Sequence, residues 1–150
     1  MTITIRPGTI DDLTVIVEYN NALAVETEHR QLDIPTLTKG VEAILRDPSK
    51  GRYFVAVEGG EVIGQTMLTF EWSDWRNGMF WWIQSVYVRP DKRSVGVYTA
   101  LHRHIEHLAR HERGVCGLRL YAEEENHRAQ RTYERLGMVK TGYRVFETVF

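Results

Sequence analysis

Residues Gln84–His111 read QSVYVRPDKRSVGVYTALHRHIEHLARH. An apolar run closes at Val88-Arg89-Pro90, a basic turn with Gly96 at its centre follows, and a long helical pattern runs from about Ser94 to His111. A helix start offers unsatisfied N–H groups and a partial positive charge. Gly96 lets a backbone approach a ligand closely, and Lys92 and Arg93 add charge beside it. Strand, glycine turn and helix together suit an anion, phosphate above all. The dinucleotide fingerprint is absent because its three glycines are missing. A Walker loop is excluded because no Gly-Lys-Ser/Thr ending follows. Taken alone, the turn is equally consistent with a plain strand-to-helix connection.

Working outward, TITIR alternates and predicts a first strand ending at Pro7. Thr9 suits the cap of a helix starting near Ile10, with Leu13, Ile16, Val17, Asn20 and Leu23 on one side. The polar stretch EHRQLDIPTLTKG, interrupted by Pro35, predicts a loop that opens a second helix with Val41, Ile44 and Leu45 inside. RYFVAVE and EVIGQTMLTFEW predict strands joined at Gly59-Gly60, and SDWRNG is the next turn. MFWWIQSVYV is a strand that runs into the opening stretch. Beyond the helix, VCGLRLYAE predicts a strand, NHRAQRTYERLG a helix, and YRVFETVF a closing strand. This order predicts a mixed α/β fold: a mostly antiparallel central sheet flanked by helices, in one domain over residues 1–150.

Composition narrows the function classes. A formal net charge of -1 lacks the basic footprint of a nucleic-acid binder. No apolar run is long enough to span a bilayer, and the N-terminus lacks a basic stretch followed by an apolar one. A soluble, cytoplasmic protein is expected. The single cysteine, Cys116, stands in the apolar pattern GVCGLRLYA and is expected to be a buried structural thiol. His104, His107 and His111 share a stripe of the long helix. No carboxylate or cysteine completes a metal set there, so a solvated flank is expected and no metal.

A second motif lies in ENHRAQRTYERLGM. Asn126, Ala129 and Tyr133 fall at i, i+3 and i+7, on one helical face. Asn126 can both donate and accept, Ala129 permits close packing, Tyr133 brings a phenol, and Gly137 ends the helix. An N-cap, a packing alanine and a core tyrosine would give the same pattern.

The two motifs, in this order, resemble the GNAT superfamily of acyl-CoA-dependent N-acetyltransferases. The family pattern of Arg or Gln, two residues, Gly, one residue, then Gly or Ala is similar to Arg93-Ser94-Val95-Gly96-Val97-Tyr98. The family's later helix is similar to Asn126, Ala129, Tyr133, Gly137 and Met138. IRPGTIDD, EVIGQ and the element order extend the resemblance over essentially the whole chain. Tyr98 departs from it, standing where the family has a small residue. A phenol there could crowd a pyrophosphate or point away.

The resemblance implies acetyl-CoA as acyl donor and a primary amine of a small molecule or peptide as acceptor. Backbone groups at Val86, Tyr87 and Val88 would bond the pantetheine arm in a gap between the fourth and fifth strands. One of those N–H groups would polarise the thioester carbonyl. Backbone amides of Arg93, Ser94, Val95, Gly96, Val97 and Tyr98 would hold the pyrophosphate, and Asn126 and Ala129 would lie along pantetheine. Tyr133 would protonate the departing thiolate, since a phenol with a pKa of about 10 is protonated at neutral pH. No acid lies between Phe80 and Val88, so the base is Glu26, Glu28, Asp74, Glu124 or a water chain. The four tryptophans, with Glu71 or Asp74, could form an aromatic wall for a cationic amine. The competing function is an acyl-CoA-binding sensor without turnover. A homodimer is compatible with either.

Overall fold

The computed structural model describes residues 2–150. They form two compact units, one running to Leu120 and one over Tyr121–Phe150.

The first unit opens with β1 (Thr4–Pro7) and a short 3-10 turn, Ile10–Asp12, that leads into α1 (Leu13–Glu28). Asp12 fixes this entry. Its carboxylate accepts from the Thr9 N–H at 2.7 Å and from both terminal nitrogens of Arg6 at 2.8 and 2.9 Å. Next comes α2 (Ile34–Arg46). The predicted loop is shorter than expected at this point. Pro35 sits in the first turn of α2, where its missing N–H costs nothing, and the Asp33 side chain caps the helix by accepting from the Thr36 N–H at 3.1 Å.

β2 (Arg52–Glu58), β3 (Glu61–Ser73) and β4 (Gly78–Val88) follow as an antiparallel meander. A short turn at Pro90–Lys92 leads to α3 (Val97–His111), and β5 (Val115–Arg119) returns parallel to β4. The sheet order is β1-β2-β3-β4-β5. The fold is therefore mixed α/β, with every strand pair antiparallel except the last.

Alternation along β2 divides the core. Phe54 and Ala56 join Leu68, Trp81 and Ile83 beneath Val97, Leu101 and Ile105 of α3. Tyr53 and Val55 face the other way, to Met67, to Ile16 and Val17 of α1 and to Val41 of α2. A strand's period of two sends neighbours to opposite faces, so both faces are covered by helices. No helix among the described residues is long and apolar enough to cross a membrane.

Two expectations about β5 need correction. It spans Val115–Arg119 rather than the whole of VCGLRLYAE, and Cys116 is exposed. An apolar sequence pattern implies burial only when a strand is covered, and β5 is an outermost strand of the sheet.

The second unit holds α4 (His127–Arg135). The predicted closing strand is absent: residues 143–150 form no strand. A β-propensity pattern becomes a strand only when a neighbour supplies the ladder.

Candidate functional site

The sheet is irregular where β4 approaches the glycine turn. Gln65 pairs with Tyr87, but Met67 pairs with Gln84, so Thr66 alone faces both Ser85 and Val86. Ser85 takes the left-handed φ of +52°, the mark of a β-bulge. Two β3 side chains occupy the carbonyls this displaces. Gln65 Nε2 donates to the Ser85 carbonyl at 3.1 Å, and Thr66 Oγ1 donates to the Gln84 carbonyl at 3.1 Å. Both residues are fully buried. The buried Tyr53 hydroxyl accepts from Asn20 Nδ2 at 3.1 Å and lies close to the Ser85 side chain. Burial pushes the Tyr53 phenol above its ordinary pKa, so it stays protonated.

On its other edge β4 loses its neighbour. The parallel ladder with β5 ends at Trp82 opposite Arg119. Val86, Tyr87 and Val88 lie beyond the last pair. The Tyr87 ring packs 4.9 Å from that of Tyr19, and the Arg93 guanidinium lies 5.3 Å from its centroid.

The turn after β4 carries less free charge than its sequence promises. Arg93 bends back, donating from Nε to the Val88 carbonyl at 2.8 Å and from Nη2 to the Glu26 carboxylate at 2.9 and 3.0 Å. Lys92 lies 2.6 Å from Glu58. What remains is backbone. Ser94 and Gly96 take left-handed φ values of +65° and +90°, and Gly96 is the N-cap of α3. A Cβ on Gly96 would meet nothing within 4 Å, so the glycine answers to its dihedral and the space above it is open. Left-handed turns of this kind at a helix start form anion-binding concavities.

Tyr98 points along α3. Its hydroxyl lies 3.2 Å from Nδ1 of His102 and its ring meets the imidazole edge-on at 5.8 Å. The phenol is thus engaged one turn further into the helix. Burial holds His102 below the usual histidine pKa, and its Nε2 has no hydrogen-bond partner among the described residues.

In the second unit, Asn126 is the N-cap of α4, its Oδ1 accepting from the Ala129 N–H at 3.2 Å. This leaves the amide NH2 as the donating end. Gly137 stops the helix at φ +95°, with Met138 N–H on the Tyr133 carbonyl at 3.0 Å. Ala129 and Tyr133 are both partly buried, and burial pushes the Tyr133 phenol above the ordinary tyrosine pKa.

The carboxylates named as bases have different surroundings. Glu26 is held by Arg93. Glu28 is exposed near the end of α1. Asp74 accepts from the Trp75 N–H in the β3–β4 turn, and Glu124 lies 3.4 Å from Arg144. The tryptophans divide. Trp81 is in the core under α3, Trp82 donates to Glu71 at 2.8 Å, and Trp72 and Trp75 are exposed. The Trp82 indole, with Arg119, holds the Glu71 carboxyl below its usual range. On α3, His107 and His111 stack at 4.2 Å and His104 packs near Phe54.

Sequence reasoning missed the bulge and its supports, Gln65, Thr66, Tyr53 and Ser85. One signal was there. Trp81 and Ile83 face α3 on odd numbers, and Val86 and Val88 pack on the same cluster on even numbers. The apolar period slips by one at Ser85, as an inserted bulge residue requires.

The family model described as "Acetyltransferase (GNAT) family" matches residues 16–138. The crystal structure of a possible acetyltransferase from Clostridium difficile 630 is 44% identical, with a TM-score of 0.92, covering 100% of this chain and 99% of that one. A GCN5-related N-acetyltransferase from Ralstonia eutropha JMP134 is 26% identical, with a TM-score of 0.77 over 98% and 99%. A "predicted acetyltransferase with acetyl-CoA" from Clostridium acetobutylicum is 17% identical, with a TM-score of 0.79 over 98% and 96%, a likeness of fold alone. No curated protein matches.

Proposed function

This chain belongs to the GNAT acetyltransferase family, and from that premise we propose that it is an N-acetyltransferase using acetyl-CoA and a primary amine. One observation carries the reading: β4 has a bulge at Ser85 on the stretch where β5 no longer pairs with it. An unpaired strand edge bonds an extended amide chain as a further strand does. The open backbone at Gly96 suits phosphate, because a side chain is absent where oxygens must come close.

The residues divide the work as follows. Val86, Tyr87 and Val88 offer main-chain groups to the pantetheine arm, though the Val88 carbonyl already accepts from Arg93. An N–H of this stretch polarises the thioester carbonyl. Backbone amides from Arg93 to Tyr98 take the pyrophosphate, and the Asn126 amide and the small Ala129 line pantetheine. The bound donor supplies an activated acetyl group. The amine nitrogen attacks the carbonyl carbon, the C–N bond forms, the C–S bond breaks, and Tyr133 gives its proton to the sulfur. The phenol is kept protonated by burial. The amine's surplus proton leaves to water or to one of the carboxylates; Glu26, already held by Arg93, is the least free of them.

The test is direct. Acetyl-CoA at millimolar concentration should raise the melting temperature, because a ligand of the folded state stabilises it. Free thiol should then appear with a panel of amines. Binding without thiol release would leave the sensor reading. No binding by calorimetry would end both.

A further inference from the structure

His102 of α3 is 1% exposed, and its Nε2 has no hydrogen-bond partner among the described residues. Buried side-chain nitrogens without a partner are few in native proteins, and each calls for an explanation. Position in the fold supplies one here. Val97, Leu101 and Ile105 form the stripe of α3 that lies on the sheet. His104 sits on one flank of that stripe, its ring 5.6 Å from that of Phe54 in β2. At about 100° per residue, Tyr98 and His102 fall on the opposite flank. With the strands ordered β1-β2-β3-β4-β5, that flank is the one toward β5.

Height along the helix is set as well. α3 leads from the end of β4 to the start of β5, which is parallel to β4, so the helix runs back against β4. Val97 packs over Gly64, the ladder partner of Val88: a Cβ on Gly64 would lie 3.1 Å from Val97 Cγ1. From Val97 to His102 is about 7.5 Å along the axis at 1.5 Å per residue. Two strand residues cover about 6.6 Å. His102 therefore stands level with Val86, beside the part of β4 that runs on after the β5 ladder ends at Trp82. Burial holds its imidazole neutral. A Tyr98 hydroxyl that donates to Nδ1, 3.2 Å away, leaves the ring proton on Nε2.

We propose that His102 Nε2–H is a binding contact for the acyl donor, donating to an amide carbonyl of the pantetheine arm where the arm passes Val86. The inference rests on the acetyl-CoA reading above and adds to it a side-chain donor from α3. Main-chain groups of β4 serve any extended amide chain, whereas one buried donor fixes which carbonyl stands at Val86. The contact belongs to binding and not to the bond-breaking step, because an amide carbonyl of the arm keeps its charge while the thioester reacts.

Calorimetry with CoA, and with the nucleotide portion of CoA lacking the pantetheine arm, tests it. His102→Leu should weaken CoA about tenfold, as loss of one buried hydrogen bond does, and leave the nucleotide within about twofold. His102→Gln, whose amide nitrogen can stand near the Nε2 position, should recover most of the loss. With an amine that supports turnover, KM for acetyl-CoA should rise while kcat is kept. Should the variants fail to fold, the parental chain with isotope-labelled histidine serves instead: the His102 Nε2–H resonance should move with CoA and stay with the nucleotide. Equal CoA affinity in parent and His102→Leu would overturn the proposal. So would equal weakening of both ligands, which marks a structural effect, or a resonance that responds to both or to neither. A fall in kcat at unchanged KM would overturn it too, by moving the ring to the reacting carbonyl. Parental protein that binds no CoA would remove the acetyl-CoA reading and this contact with it, a result seen before any substitution is made.

Discussion

Gln65 donates its side-chain amide to the Ser85 carbonyl at 3.1 Å from a fully buried position, and Thr66 beside it does the same for Gln84. Two neighbouring β3 side chains thus hold the bulge of β4. Thr66→Val keeps the shape and removes the donor. A buried carbonyl left unpaired costs about 1–3 kcal/mol, so the urea midpoint should fall accordingly. Turnover should drop about tenfold or more, because a small misplacement of the N–H groups of residues 86–88 would weaken the proposed oxyanion contact. A variant with parental stability and rate would show that the bulge holds itself.

Gly96 sits at φ +90° with open space above it. Gly96→Ala meets no clash and should cost only the left-handed strain, about 1–2 kcal/mol. Gly96→Asp adds a negative charge as well, and should weaken acetyl-CoA binding tenfold or more by calorimetry. Equal affinities in parent and Asp variant would move the pyrophosphate elsewhere.

The Tyr98 hydroxyl lies 3.2 Å from Nδ1 of His102, one turn further along α3. Tyr98→Phe should therefore leave acetyl-CoA affinity within about twofold, since one neutral hydrogen bond elsewhere is at most a small indirect effect. Tighter binding in the variant would mean that the phenol crowds the ligand.

His102 makes stability depend on pH. Burial depresses its folded pKa below the unfolded value of about 6.5. Its contribution is present above that value and is lost as pH falls through the folded pKa, because the unfolded chain takes the proton first. The slope cannot exceed about 1.4 kcal/mol per pH unit for one proton. His104, depressed chiefly by burial as well, adds in the same direction. Urea melts at pH 7, 6 and 5 should show stability falling, and His102→Leu should flatten the fall by up to one proton. An unchanged slope would assign the proton to another group.

Tyr133→Phe should spare acetyl-CoA affinity and lower turnover by about 10²–10⁴-fold, the usual worth of a general acid. The ring remains, so packing changes little. Turnover within about twofold of the parent, with chemistry rate-limiting, would remove Tyr133 from the proton path.

Local patterns determined most of this molecule's elements. The turn at Gly96 and the caps at Asn126 and Gly137 follow from dihedral preference and hydrogen bonds within a few residues. The two-faced core follows from alternation, and α3 from its apolar stripe. Long-range pairing decided the rest. Thr66 faces two residues of β4 because of a register between strands, so the bulge left only a slip of period in the sequence. Arg93 looks like a phosphate ligand until Glu26, 67 residues away, is brought to it. Cys116 reads as buried until β5 proves to be an outermost strand. YRVFETVF has the composition of a strand and is none, because a strand's hydrogen bonds lie with a neighbour that sequence alone cannot supply.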